Sequence, residues 1–157
     1  MMKLGYDVLK ALRGRTLVTA ESLTGGGIGY FLTAIPGSSE VYKGGIISYT
    51  DWVKENILGV PGELLETLGA VSGPVAEAMA VGARERLQAD VAVSVTGLAG
   101  PGGDEFGNPV GTVFIGYADG ERSLWVQRNF DGGREQIRQH TVAAALQLVL
   151  DRNRQRE

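Results

Sequence analysis

Thr16-Leu17-Val18-Thr19-Ala20-Glu21-Ser22-Leu23-Thr24-Gly25-Gly26-Gly27 is an apolar and β-branched run that passes through a serine into three consecutive glycines. The unbroken apolar character of Thr16 to Ala20 reads as a strand buried on both faces. The glycines permit a tight turn, and a helix is expected from Gly26 to Ala34, ending before Pro36-Gly37 and capped by Thr24. Strand, glycine turn and helix together put Ser22 at the carboxyl end of a sheet strand, where α/β proteins hold their ligands.

Working outward, an amphipathic helix is expected from Leu4 to Leu12 and a second strand from Val41 to Tyr49. Asp51 is the expected cap of a short helix reaching Leu58 and stopping at Gly59. Pro61 and Pro74 stand where proline opens a helix, the second helix running to Leu87. Val91 to Val95 is another fully apolar strand, opening into Thr96-Gly97-Leu98-Ala99-Gly100-Pro101-Gly102-Gly103-Asp104. Gly111 to Tyr117 and Ser123 to Phe130 read as a hairpin around Asp119-Gly120. A last helix, Arg134 to about Leu150, carries Ile137, Thr141, Ala144, Ala145 and Leu148 on one face; the charged tail from Asp151 to Glu157 is expected to fray. The expected fold is α/β, a three-layer α/β/α sandwich with a mixed sheet, in one domain over residues 1–157.

The chain has 157 residues, 43% hydrophobic and 21% charged, with a net charge of −3. This is ordinary for a globular domain and offers no basic footprint, so nucleic acid is not an expected partner. Met1 to Asp7 lacks a signal-peptide core and no run approaches a membrane span, so a cytoplasmic protein without membrane contact is expected. The absence of cysteine agrees with a reducing compartment. Glycine is the outlier, its 24 residues being about twice the usual share. The small residues from Val75 to Ala83 and an apolar hairpin edge suggest packing between subunits, and a homodimer or larger is expected.

With one histidine and no cysteine, an activated nucleophile has to be Ser or Thr, with Lys the natural base. Ser22 reads either as a helix cap or as a nucleophile whose oxyanion meets the N–H groups of Thr24, Gly25 and Gly26. Lys54, in the first turn after Asp51, reads either as a solvated surface lysine or as a base whose pKa the helix dipole and desolvation lower. Tyr49 reads as packing or as a proton relay. The second glycine loop, through Gly97, Gly100 and Gly102, can cradle a phosphate or carboxylate but lacks a P-loop lysine. Arg128, Arg134 and Arg138 are candidate anion anchors, and His140 reads as structural. No His/Asp/Glu cluster has metal-ligand spacing. The glycine turn with Tyr49 and Lys54 imitates a short-chain dehydrogenase, but the Tyr–Lys spacing is wrong and no acidic residue closes a second strand; no cofactor is expected.

Ala20-Glu21-Ser22-Leu23-Thr24-Gly25-Gly26, Ser48-Tyr49-Thr50-Asp51-Trp52-Val53-Lys54 with Leu58-Gly59-Val60, Val95 to Gly103, and Pro109-Val110-Gly111-Thr112-Val113 together resemble the CinA C-terminal domain family over nearly the whole chain, in standalone form. The resemblance implies a nicotinamide-nucleotide amidase, converting nicotinamide mononucleotide and water to nicotinate mononucleotide and ammonia without a metal. It makes Ser22 the nucleophile and Tyr49 and Lys54 catalytic, and brings Thr96 and Arg138 near the site. Two positions depart from the pattern: Leu23 stands where the family often has Cys, and Asp51 where it commonly has Asn. An acidic Asp51 acts to keep Lys54 charged, which leaves a binding or regulatory module without catalysis as one alternative; an amidase or esterase of another substrate using the same dyad is the other.

Overall fold

The computed structural model describes residues 1–154. The opening stretch forms β1 (Leu17–Glu21), buried at every position, followed by a turn and α2 (Gly27–Thr33), after an N-terminal helix α1 (Met2–Ala11). β2 (Tyr42–Ile47) and β3 (Val91–Gly97) flank β1 and run parallel to it, with Ala20 opposite Ile46 on one side and Ser94 on the other. β4 (Thr112–Ala118) and β5 (Ser123–Asn129) form the expected hairpin and add antiparallel pairs, giving the order β2-β1-β3-β4-β5. At its tip the Asp119 carboxylate accepts from the Glu121 and Arg122 N–H groups at 2.8 and 3.1 Å, fixing the Asp-Gly turn.

Residues alternate across the sheet, and each face is covered by helices. Leu17, Val93, Val95, Val113, Ile115 and Tyr117 pack with α1, α2 and α6 (Arg134–Asn153) through Val8, Leu12, Ile28, Ile137 and Leu146. The opposite face, Val18, Ala20, Ala92 and Ala118, lies under α5 (Gly73–Arg86), with Leu58, Val60 and Leu65 completing that core. Its small side chains let α5 come close: the Ser94 hydroxyl donates to the Ala76 carbonyl, and a Cβ at Gly116 would collide with the same oxygen. The result is the three-layer α/β/α sandwich with a mixed sheet.

Four expectations are corrected. Thr24 does not cap α2; its hydroxyl donates to Glu21 instead. Asp51 is the first residue of α3 (Asp51–Asn56), and the cap is Thr50, whose hydroxyl accepts from the Val53 N–H at 3.4 Å. In the Val75 to Ala83 stretch, Val75, Ala76, Met79, Ala80 and Ala83 are fully buried within the chain and offer no surface to another subunit, while Ala78 and Val81 are half-buried. The last helix continues to Asn153, which is buried with its amide on the Tyr117 hydroxyl at 3.2 Å; the tail therefore does not fray from Asp151, and 155–157 lie outside the described residues. Among the described residues no helix is long and apolar enough to cross a membrane.

Candidate active site

The site begins where β1 ends. Glu21, last in the strand and 2% exposed, turns its carboxylate under the loop and accepts four hydrogen bonds. These come from the Thr24 hydroxyl at 2.6 Å, the Thr19 hydroxyl at 3.3 Å and the Ile28 and Gly29 N–H groups at 2.8 and 3.0 Å. The carboxylate thus satisfies the free donors that open α2. Gly25 and Gly26, at φ +59° and +99°, make the reversal that a side-chain-bearing residue resists. From the outside Arg138 donates to the Leu23 and Thr24 carbonyls at 3.0 and 3.4 Å. Ser22 is held between these braces, its N–H on the Val95 carbonyl of β3 at 3.1 Å.

Lys54 reaches the same point from α3. It is 1% exposed, and its Nζ donates to Ser22 Oγ at 2.9 Å and to the Ser48 carbonyl at 2.7 Å. Among the described residues no carboxylate forms a salt bridge with it. Burial pushes the Lys54 ammonium down from 10.5 to about 8, and the Asp51 charge opposes this more weakly. Of the two causes expected from sequence, desolvation is the one that dominates at Lys54. With a pKa near 8, about a tenth of the lysine is neutral at pH 7. A neutral Nζ can keep an N–H on Ser48 and turn its lone pair to the Ser22 hydroxyl.

Ser22 and Lys54 open onto a cavity of about 380 Å³, within the roughly 300–1,000 Å³ common for small-molecule sites. Of the residues singled out from sequence, Tyr49, Thr96, Gly97, Gly100 and Gly102 also line it. Tyr49 stands at the rim, 60% exposed, its hydroxyl 3.5 Å from the Arg134 guanidinium and not among the partners of Ser22 or Lys54. The Thr96 hydroxyl donates to the Ala70 carbonyl at 2.8 Å. Thr24, Gly25, Gly26 and Arg138 do not line the cavity; they hold the Ser22 loop from behind. The Gly25 N–H is occupied by the Ser22 carbonyl at 3.1 Å and is not a spare oxyanion donor.

Arg134, grouped in the sequence with Arg128 and Arg138, is the arginine that lines the cavity, with a guanidinium nitrogen on the Gly100 carbonyl. Arg128 bonds the neighbouring Gln127 carbonyl at 2.8 Å, and the His140 ring packs on Phe130 at 5.5 Å. Glu21 and Ser48 escaped the sequence reading. A lone acid closing a buried strand was the available signal for Glu21; a backbone carbonyl such as that of Ser48 gives none.

A family model described as the CinA C-terminal domain matches residues 3–152. A CinA-like protein of Synechococcus sp. is 49% identical over 135 residues, which are 85% of this chain and 32% of the relative. A CinA-like protein of Desulfotalea psychrophila is 49% identical over 138 residues, 87% of this chain and 33% of the relative. The chain spans about a third of the length of these relatives. Among solved structures, the competence/damage inducible protein CihA from Agrobacterium tumefaciens superposes with a TM-score of 0.91 at 41% identity, covering 96% of this chain and 93% of that one. The competence damage-inducible protein A from Klebsiella pneumoniae gives 0.93 at 34% identity, covering 96% and 94%.

Proposed function

The chain belongs to the CinA C-terminal domain family, and from that premise we propose that it is an amidohydrolase that deamidates nicotinamide mononucleotide through Ser22 and Lys54. The observation that carries this reading is the Lys54 Nζ, buried, 2.9 Å from Ser22 Oγ and lowered to about 8. A base needs its pKa near working pH and its lone pair within reach of the proton it takes, and Lys54 meets both conditions.

In the proposed sequence Lys54 takes the Ser22 proton as Oγ attacks the carboxamide carbon. The tetrahedral oxyanion meets backbone N–H groups of the lining, first that of Leu23, the residue after the nucleophile. Lys54 returns the proton to the departing nitrogen; the C–N bond breaks, ammonia leaves and a nicotinoyl ester remains on Ser22. Water, deprotonated by Lys54, then attacks the ester carbon; the C–Oγ bond breaks, Oγ regains a proton and the carboxylate is released. Arg134 and the N–H groups of the Gly97-to-Gly103 loop are suited to the phosphate, and Tyr49 to the rim contact with the nucleotide.

The alternative, a nucleotide-binding module without turnover, depends on Asp51 keeping Lys54 charged; burial outweighs Asp51 at Lys54, which favours turnover. Incubating the protein with nicotinamide mononucleotide and measuring ammonia tests the proposal, with S22A as the control. Release by the native chain and none by S22A is expected; equal release from both, or none from either, overturns it.

A further inference from the structure

Resting on that function, we propose that Asp51 determines specificity by selecting the positively charged pyridinium form of the ring that bears the amide. Asp51 is exposed and lines the Ser22 cavity and an adjoining one of about 340 Å³ that reaches Phe106 and Asp104. Among the described residues its carboxylate makes no hydrogen bond or salt bridge, although the Thr50 side chain beside it caps α3. It is therefore an unspent negative charge on the wall of a catalytic cavity.

Arg134 supplies the opposite charge. Among the described residues its guanidinium bonds only neutral oxygens, the Gly100 carbonyl and the Tyr49 hydroxyl, and it is not paired with Asp51. One cavity thus holds an unpaired anion and an unpaired cation that do not neutralise each other, a pattern that fits a ligand carrying both charges at separate points. Asp51 lies on the reacting side, one helical turn ahead of Lys54 and close enough to act on its charge. Ser22 and Asp51 line one cavity, so a ring whose amide carbon is held at Ser22 shares that cavity with Asp51, which attracts a cationic ring and not a neutral one. The 1,4-dihydropyridine form of the same nucleotide has nearly the same shape, the same phosphate and no ring charge, so it isolates the effect. Because Asp51 is solvent-exposed, the discrimination is modest, roughly three- to tenfold in affinity. The same charge makes Lys54 harder to deprotonate, so the position trades base strength for selectivity.

The test uses calorimetry on the S22A and S22A/D51N chains at pH 9 and low salt, with nicotinamide mononucleotide and its dihydro form as ligands. At pH 9 Lys54, lowered to about 8, is mostly neutral in both variants, so its own charge adds little to the difference between the two ligands. The expected result is that S22A binds the oxidised form about three- to tenfold more tightly, and that D51N brings the two within about twofold by weakening the oxidised ligand alone. An unchanged ratio in D51N, or equal binding of both forms by S22A, overturns the inference while ammonia release by the native chain keeps the function standing. Neither ligand binding, with no ammonia released, overturns the function and the inference with it.

Discussion

Ser22 to Gly27 and Gly97 to Gly103 both follow buried strands at the same edge of the sheet and both are rich in glycine, yet they meet the cavity in opposite ways. The first loop presents Ser22 and Leu23 and turns its glycines away; the second presents Gly97, Gly100 and Gly102 directly. The first is held by a buried carboxylate below and an arginine outside. The second is tied by backbone bonds, the Leu98 N–H to the Thr112 carbonyl at 3.0 Å and the Gly111 N–H to the Leu98 carbonyl at 2.8 Å. Glycine serves a chain reversal in the first loop and forms the cavity wall in the second. On the proposed function, the first loop governs turnover and the second governs binding.

Breaking the chemistry outright gives the largest expected effect. S22A and K54M each lower kcat by about 10³-fold or more, read as ammonia release, without a matching loss of fold. K54M carries a further expectation about stability. A lysine lowered from 10.5 in the unfolded chain to about 8 in the fold makes the folded state bind fewer protons between those values. Stability is therefore penalised below pH 8 and recovers as pH rises toward 10.5, by on the order of 3 kcal/mol. Chemical denaturation at pH 7 is expected to find K54M no less stable than the native chain; a clear loss would mean that the charge is not the dominant cost.

Next comes the support of the first loop. E21Q leaves one acceptor oxygen for four donors and is expected to cost about 1–3 kcal/mol of stability and roughly tenfold or more in kcat, with KM moving little. The smaller effect belongs to the second loop. Gly100 has φ +97°, and a Cβ there would lie 2.9 Å from Val110 Cγ1, so G100A is expected to cost about 1–2 kcal/mol and raise KM several-fold with kcat nearly unchanged. Steady-state kinetics on the two variants decide the comparison: a KM effect in E21Q and a kcat effect in G100A would reverse the assignment of the loops.

The strand, turn and helix around Ser22 were legible because a β-strand buried on both faces leaves a continuous apolar run, and the hairpin because Asp119-Gly120 interrupts two such runs. The caps were not. Thr24 has the right chemistry to cap α2, but the Glu21 carboxylate outcompetes it as an acceptor and converts Thr24 into a donor. Lys54 was found as a candidate, but its burial arises from docking α3 against the end of the sheet, where the Ser48 carbonyl and Ser22 hydroxyl meet it. Local sequence, with Asp51 and Glu55 nearby, points instead to a solvated helix. Arg134 and Arg138 stand one turn apart on α6, and sequence cannot tell which reaches the cavity. The first meets the second glycine loop and the other the back of the first, a distinction that tertiary packing makes.

The pH dependence of kcat/KM for ammonia release from nicotinamide mononucleotide tests the central claim, that a buried lysine with a lowered pKa is the base. Only neutral Lys54 accepts the Ser22 proton, so kcat/KM is expected to rise about tenfold per pH unit below a bend near the Lys54 value of about 8 and then level off. Because the Asp51 charge raises that value, D51N is expected to move the bend to lower pH. A flat profile, or a bend at the ordinary lysine value of 10.5, would contradict the account.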